Sequence, residues 1–275
     1  MTGFFKLSGS GNDFIAVADP AGTAVAPPAE RIRAWCRRGI SLGADGFFLL
    51  RRQTGGAKME YWNADGEPAD LCLNGTRCAA QLAFHLGWAK GEALITTGAG
   101  VVAAQRLDTT RVSVRLPAPA EAPREMTLEA AGGTWTGWTV HTGVPHLVLL
   151  WQESLAQAPV HELGRALRYH PSFAPVGRNV NFVRFPRPDC MEIRTYERGV
   201  EGETLACGTG MLAGTAVGLH LGSTLPLSIL TQGGCELTVA SLEGGAWSLA
   251  GDARLVAQGD LLAGADLAPV SPSWS

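Results

Sequence analysis

Two cysteines, Cys72 and Cys207, each stand just ahead of a dense run of small and apolar residues, Asn74–Leu86 and Gly208–Leu221. Runs of that length make about three helical turns. A cysteine at a helix start sits among backbone N–H groups that the helix cannot satisfy, at the positive end of its dipole. Both effects favour thiolate over thiol, and the same N–H groups can hold a carboxylate. Two such sites facing each other across a pseudo-twofold axis would place one sulfur on each face of a substrate Cα. Stereoinversion needs that pair: a base to remove the proton and an acid on the opposite face to return one. The enolate-like charge would fall on the two sets of helix N–H groups, and closure around the substrate would exclude water. This chemistry calls for no metal and no pyridoxal cofactor.

The elements that must position these thiols are legible around them. Short apolar runs bounded by Gly, Pro and Asp predict strands at Phe4–Leu7, Phe14–Val17, Gly46–Leu50, Glu60–Asn63, Val112–Leu116, His146–Leu150, Val180–Phe185 and Glu192–Tyr196. The two long runs are apolar nearly all round, which predicts buried helices. Each closes on a glycine, Gly87 or Gly222, where a helix C′ residue belongs. Superposing Cys72 on Cys207 also aligns Tyr61 with Tyr196, Gly75 with Gly210, and His85-Leu86-Gly87 with His220-Leu221-Gly222. Gly11-Asn12-Asp13-Phe14 matches Gly143-Val144-Pro145-His146 with a small change of spacing. The chain therefore reads as two copies of one unit. Pro117–Pro123 is the candidate linker between them, and the Pro/Ser-rich Leu267–Ser275 reads as a loose tail.

The chain has 275 residues, 46% hydrophobic and 17% charged, with a net charge of −3. That composition builds a core and leaves no basic footprint for nucleic acid or for a membrane surface. No apolar run reaches the roughly 18 residues of a membrane helix, and the N-terminus does not read as a secretory signal. Six cysteines with no C-x-x-C pair suit neither a disulfide framework nor zinc. They read as reduced thiols of a cytoplasmic protein, with Cys36, Cys78, Cys190 and Cys235 structural. A homodimer is compatible with the sequence, which sets no oligomeric state.

Several stretches resemble the diaminopimelate epimerase family. Phe5-Lys6-Leu7-x-Gly9-x-Gly11-Asn12-Asp13-Phe14 is similar to the family's opening motif. Asn63-Ala64-Asp65-Gly66 leading to Cys72-x-Asn74-Gly75-x-Arg77-Cys78 resembles its first cysteine motif. Pro145-His146 and Asn179-Val180-Asn181-Phe182 resemble its middle segments, and Tyr196-Glu197-Arg198-Gly199 through Ala206-Cys207-Gly208-Thr209-Gly210 its second cysteine motif. The resemblance implies an α+β fold of two pseudo-symmetric domains, each a curved mixed or antiparallel sheet wrapped around a central buried helix, with the active site in the interdomain cleft. The domains would be 1–117 with a returning strand near 252–265, and 118–251, followed by the tail 266–275. It implies interconversion of LL- and meso-2,6-diaminopimelate, a small amino-acid substrate of lysine and cell-wall biosynthesis, without pyridoxal phosphate or any other cofactor.

By position in these motifs, Cys72 and Cys207 would be the catalytic pair. Asn12, Asn63, Asn179 and Arg198 would bind polar groups of the substrate, with Arg198 on the distal carboxylate. Glu197 and His146 would orient thiols or the ammonium group, and Glu197 would also bind substrate. The backbone of Leu73, Asn74, Gly208 and Thr209 would hold the reacting carboxylate. Three residues depart from the pattern. Leu73 stands where a Gly is usual, Val144 where many members have a substrate-binding Asn, and Gly46 where some have a polar residue. A racemase of another amino acid on the same scaffold is therefore the nearest alternative; a Cys–His transferase or hydrolase and a non-catalytic binding protein are more distant ones. Gly9-x-Gly11 lacks the third Gly of a dinucleotide fingerprint. His161-Glu162 lacks the second His of a zinc protease motif and reads as a surface helix. His85 and His220 read as helix-end residues that complement the dipole.

Overall fold

The computed structural model describes residues 2–266, so the predicted tail lies almost wholly outside the described residues. The chain divides into two compact units, one made of the residues up to Val114 and from Asp252 onward, the other of Arg115–Gly251. The passage between them falls inside a strand rather than in the proline-rich stretch at 117–123.

The first unit contains β1 (Thr2–Gly9), β2 (Asn12–Asp19), α1 (Ala29–Cys36), β3 (Gly46–Gln53), β4 (Gly56–Asn63), the two-residue β5 (Pro68–Ala69), α2 (Leu73–His85), β6 (Glu92–Thr97), β7 (Gly100–Arg106) and β8 (Arg111–Pro117). The second contains β9 (Arg124–Ala130), β10 (Gly133–His141), β11 (Pro145–Leu150), α3 (Val160–Arg168), β12 (Asn179–Arg187), β13 (Cys190–Glu197), β14 (Gly202–Thr204), α4 (Gly208–His220), β15 (Leu227–Thr231), β16 (Glu236–Ser241) and β17 (Ala246–Asp252). The last strand, β18 (Arg254–Leu261), returns to the first unit and pairs antiparallel with β1. All the strands predicted from the sequence lie within these elements, and each of the two long predicted helices runs one residue past its observed end, onto the C-cap Leu86 or Leu221.

Each unit is built on one plan. In the first, the strands run in the order β18-β1-β2-β3-β4-β6-β7-β8, with only β2–β3 and β4–β6 parallel. In the second, the order is β9-β10-β11-β12-β13-β15-β16-β17, with only β11–β12 and β13–β15 parallel. Parallel neighbours need a crossover, and the crossovers are the helices: α1 and α2 in one unit, α3 and α4 in the other. The fold is α+β with a mixed sheet in each unit, and the repeat is a repeat of topology.

The sheets are covered on both faces, which explains the unbroken apolar runs. Ile15, Val17, Phe47 and Leu49 pack with Ile32 and Trp35 of α1, while Phe14 and Phe48, one residue out of phase, face α2 and meet at 6.1 Å. A strand buried on both faces loses the polar alternation of a half-exposed one. Helix α2 is buried from Leu73 through Phe84 and touches β1, β2, β3, β4, β6, β7 and β18, so the sheet wraps it. In the second unit α4 lies against β10 to β13. Gly87 and Gly222, with φ of 70° and 100°, end the two central helices as expected. Gly11 and Gly143 occupy matching turns ahead of β2 and β11 with φ of 95° and 89°.

One repeat match does not survive in space. Tyr61 packs edge-on against Phe14 on the α2 face of its sheet, whereas Tyr196 belongs to the core beneath α3, with Leu163 and Leu167. The equal spacing to the cysteines is therefore not structural equivalence. Helix α1 was not expected: it follows two prolines, spans eight residues and has no side-chain N-cap. Helix α3 is held by its apolar face, in which Leu167 is fully buried. Leu167→Ala is expected to lower the unfolding free energy by about 2–5 kcal/mol, read as a shifted urea midpoint with unchanged slope; a shift below about 1 kcal/mol would contradict this packing.

Candidate active site

In the first unit Cys72 is the N-cap of α2, with extended backbone (φ −133°, ψ 109°). Its sulfur accepts a hydrogen bond from the Gly75 N–H at 3.4 Å. Leu73 is the first helical residue and does not have a positive φ, so its replacement of the usual Gly introduces no strain and leaves its N–H at the helix start. Gly75 lets the first turn approach the sheet: a Cβ there would stand 2.9 Å from the Met59 methyl and 3.4 Å from the Phe14 ring.

Behind this first turn runs a chain of buried polar groups. Arg77, fully buried within α2, donates to Asn74 Oδ1 at 2.7 Å and to Ser10 Oγ at 2.8 Å. Ser10 in turn donates through its backbone N and its hydroxyl to Asp252 Oδ1. Because Asn74 Oδ1 faces Arg77, its Nδ2 donates to Asn12 Oδ1 at 2.7 Å, and Asn12 Nδ2 then donates to Asp45 at 3.2 Å. The orientation of two amides is thus fixed by one buried cation. Asp45 and Asp13 are clamped by Arg38, and Lys6 bonds Asp13 at 2.7 Å. Burial works to raise the Asp13 carboxyl, but Arg38 and Lys6 overcome it and hold it down at about 2. Among the described residues Asn63, at the exposed end of β4, bonds through its backbone alone, its carbonyl accepting from the Gly66 N–H and its N–H donating to the Glu67 carbonyl. The structure brings Asn12, Leu73, Asn74 and Cys72 together and leaves the Asn63 side chain outside this network.

In the second unit Cys207 is the N-cap of α4 (φ −117°, ψ 110°). It is buried, and its sulfur lies 3.5 Å from the Thr209 hydroxyl. The Thr209 carbonyl accepts from the Thr142 hydroxyl at 2.9 Å, which ties the turn before β11 to the helix start. Asn179 Oδ1 accepts from the Arg198 backbone N–H at 2.8 Å, so these two expected substrate-binding residues are held as a pair. Burial pushes the Glu197 carboxyl up.

His146 is fully buried beside Asn179 in the β11–β12 register. The Asn181 amide donates to the Leu147 carbonyl at 3.1 Å and lies 3.0 Å from His146 Nδ1, while its Oδ1 accepts from Thr195. With the amide nitrogen so placed, His146 Nδ1 accepts and the ring hydrogen sits on Nε2. Nε2 is buried with no hydrogen-bond partner among the described residues. An N–H donor suits a thiolate or a carboxylate and does not suit an ammonium group, which narrows the orienting role expected of His146. Gly210 makes this possible: a Cβ there would stand 2.3 Å from Asn181 Oδ1.

Sequence reasoning did not single out Ser10, Asp45, Asn181 or Asp252. The available signal was Arg77, since a charge inside an otherwise apolar helix must have buried partners. Among the remaining cysteines, Cys36 and Cys78 are buried, and burial pushes both thiols up, Cys36 to about 12. Cys190 and Cys235 are half-exposed. His161 lies on the exposed side of α3, and His85 and His220 end α2 and α4, as expected.

Burial, then the nearby His141 and Arg198, push His146 down from 6.5 to about 3. In that window the unfolded chain binds a proton that the folded one refuses, so stability is complete above pH 6.5 and falls as pH drops toward 3. His146→Gln should flatten this part of a plot of urea midpoint against pH; an unchanged slope would contradict a neutral buried imidazole.

The family model described as diaminopimelate epimerase matches residues 4–118 and 138–256. A diaminopimelate epimerase of Aquifex aeolicus (strain VF5) is 39% identical over 249 residues, covering 86% of this chain and 88% of that protein. One from Hydrogenobaculum sp. (strain Y04AAS1) is 38% identical, covering 93% of this chain and 97% of its own length. A solved PhzF-family phenazine biosynthesis protein from Enterococcus faecalis superposes with a TM-score of 0.71 at 14% identity, over 95% of this chain and 99% of that one. That last likeness is one of fold.

Proposed function

The chain belongs to the diaminopimelate epimerase family, and from that membership we propose that it interconverts LL- and meso-2,6-diaminopimelate through Cys72 and Cys207. It is an amino-acid epimerase of the kind that works without pyridoxal phosphate. The observation that carries the residue assignment is that each unit caps its one central helix with a cysteine.

The reaction moves one proton off Cα and puts another on. One sulfur, as thiolate, takes the α-proton, and the electron pair passes into the substrate carboxylate. The N–H groups of Leu73 and Asn74, and of Gly208 and Thr209, favour that build-up of negative charge at a helix start. The other sulfur, as thiol, gives its proton to the opposite face of the same carbon. The product leaves the two sulfurs with exchanged protonation, so the reverse direction uses the same two groups in opposite roles. His146, with hydrogen on Nε2, can donate to a thiolate or carboxylate. Arg198, its backbone fixed by Asn179, and Asn12, fixed by Asn74, serve as substrate donors. Asn63 and Glu197 complete the proposed set. Two reduced thiols suit the cytoplasm, and we assign the enzyme there; among the described residues no helix is long and apolar enough to cross a membrane.

Proton NMR of LL-diaminopimelate in D₂O with the purified protein tests the reading. Loss of the α-proton signal with appearance of the meso isomer is expected for the native chain. Cys72→Ala and Cys207→Ala should each reduce epimerisation by at least about 10³-fold while the far-UV spectrum is unchanged. Near-normal turnover by either variant would overturn the two-thiol assignment.

A further inference from the structure

The loop that carries Arg198 is tied down by a residue outside the proposed substrate-binding set. Arg168, at the end of α3, is only 8% exposed. Its Nε and Nη2 both donate to Glu201 Oε1, at 3.2 and 2.9 Å, and its Nη1 donates to the Val176 carbonyl at 3.2 Å. The same Glu201 oxygen accepts from the Gly199 N–H at 3.0 Å, and the Glu201 N–H donates to the Glu197 carbonyl at 2.9 Å. Residues 197–201 therefore close into a turn around Arg198. That turn is costly to hold, because Glu201 has a φ of 55°, which residues with a side chain avoid. The other segment that Arg168 grips leads to Asn179, three residues after Val176, and Asn179 Oδ1 accepts from the Arg198 N–H at 2.8 Å. One guanidinium thus holds both segments whose meeting sets Arg198. Gly177 makes room for it: a Cβ there would collide with Arg168 Nη1 and stand 2.5 Å from the Arg168 carbonyl oxygen. An ion pair between two solvated side chains holds little, since both can swing away. Here one partner is fixed by burial and by stacking on Tyr169, with its guanidinium carbon 4.6 Å from the ring centre.

We propose that Arg168 is a positioning residue for substrate binding: through Glu201 and Val176 it holds Arg198 and Asn179 in register, so that Arg198 meets the distal carboxylate already ordered. Ordering a charged loop at the moment of binding subtracts from affinity, and a loop fixed beforehand avoids that loss. Arg168 acts through the loop and not on the proton transfer, so its removal falls on KM rather than on kcat. The consequence for KM rests on the reading of Arg198 as the donor to the distal carboxylate; the pinning of the loop does not.

Steady-state kinetics of the full chain on LL-diaminopimelate, with hydrogen exchange at the Arg198 N–H followed by NMR, provide the test. Glu201→Ala breaks the link from its exposed side, and Arg168→Lys keeps the charge while losing the fork that spans two acceptors. Each should raise KM about tenfold with kcat changed less than about twofold. The double variant should do no more than either single one, because the two residues act as one link. A merely structural loss would lower the active fraction, and with it kcat, and leave KM in place. Exchange at the Arg198 N–H should quicken in both single variants. A native exchange rate in Glu201→Ala would overturn the proposal, as would an unmoved KM in both single variants when Arg198→Ala raises it. An unmoved KM in Arg198→Ala would instead overturn the reading of Arg198, and the exchange rate would still decide what Arg168 holds.

Discussion

The first turn of an α-helix carries N–H groups that nothing inside the helix can satisfy, and this chain puts a cysteine at that point in both units. Everything else follows from making that turn useful. The field of a helix start is strong only where water is scarce, so α2 and α4 must be central and covered by their sheets. Covering them needs parallel neighbours on either side of the crossover, and hence mixed sheets with a second helix on the outer face. It also needs the first turn to lie close on the strands, which is why Gly75 and Gly210 have no room for a side chain.

The two units share a plan and differ in what stands behind the sulfur. In the first, a fully buried guanidinium sets the direction of a chain of amides, and the acidic groups at the Asn12 end of it, Asp13 and Asp45, are clamped by Lys6 and Arg38. In the second, the buried network is neutral, an amide between a hydroxyl and an imidazole. The contrast is sharpest at the matching positions Phe14 and His146, each three residues past the turn glycine that precedes its strand. One packs as a ring against its neighbours and the other carries a donor. Two copies of one plan have thus been given unequal surroundings behind their helix-capping cysteines.

Much of this was legible in the residues. Both central helices could be read because their apolar faces close all round and their C′ glycines are unambiguous, and the strands because two-sided burial writes unbroken runs such as Gly46–Leu50. The cysteines could be read because helix-start chemistry is local. What could not be read depends on distant pairs. Ser10 meets Asp252 across nearly the full length of the chain, and no window of sequence contains both. Tyr61 and Tyr196 show the opposite error, where equal spacing hides unlike surroundings, because the direction of a strand residue depends on which helix covers which face. Helix α1 was missed because its stability comes from Ile32 and Trp35 against the sheet rather than from a cap or length.

The bond from Ser10 to Asp252, with the pairing of β1 to β18, has a consequence for the birth of the molecule. A ribosome delivers the chain from its N-terminus. The second unit is one continuous stretch and has all its strands once residue 251 has emerged. The first unit was begun earlier and must wait: until Asp252 and the strand after it arrive, β1 is an open edge and Arg77 lacks the anchored end of its chain. The half translated first is the half completed last. An open edge is a site for wrong pairing, so the interval between Gly9 and Leu261 is the period in which this protein most needs protection from its neighbours.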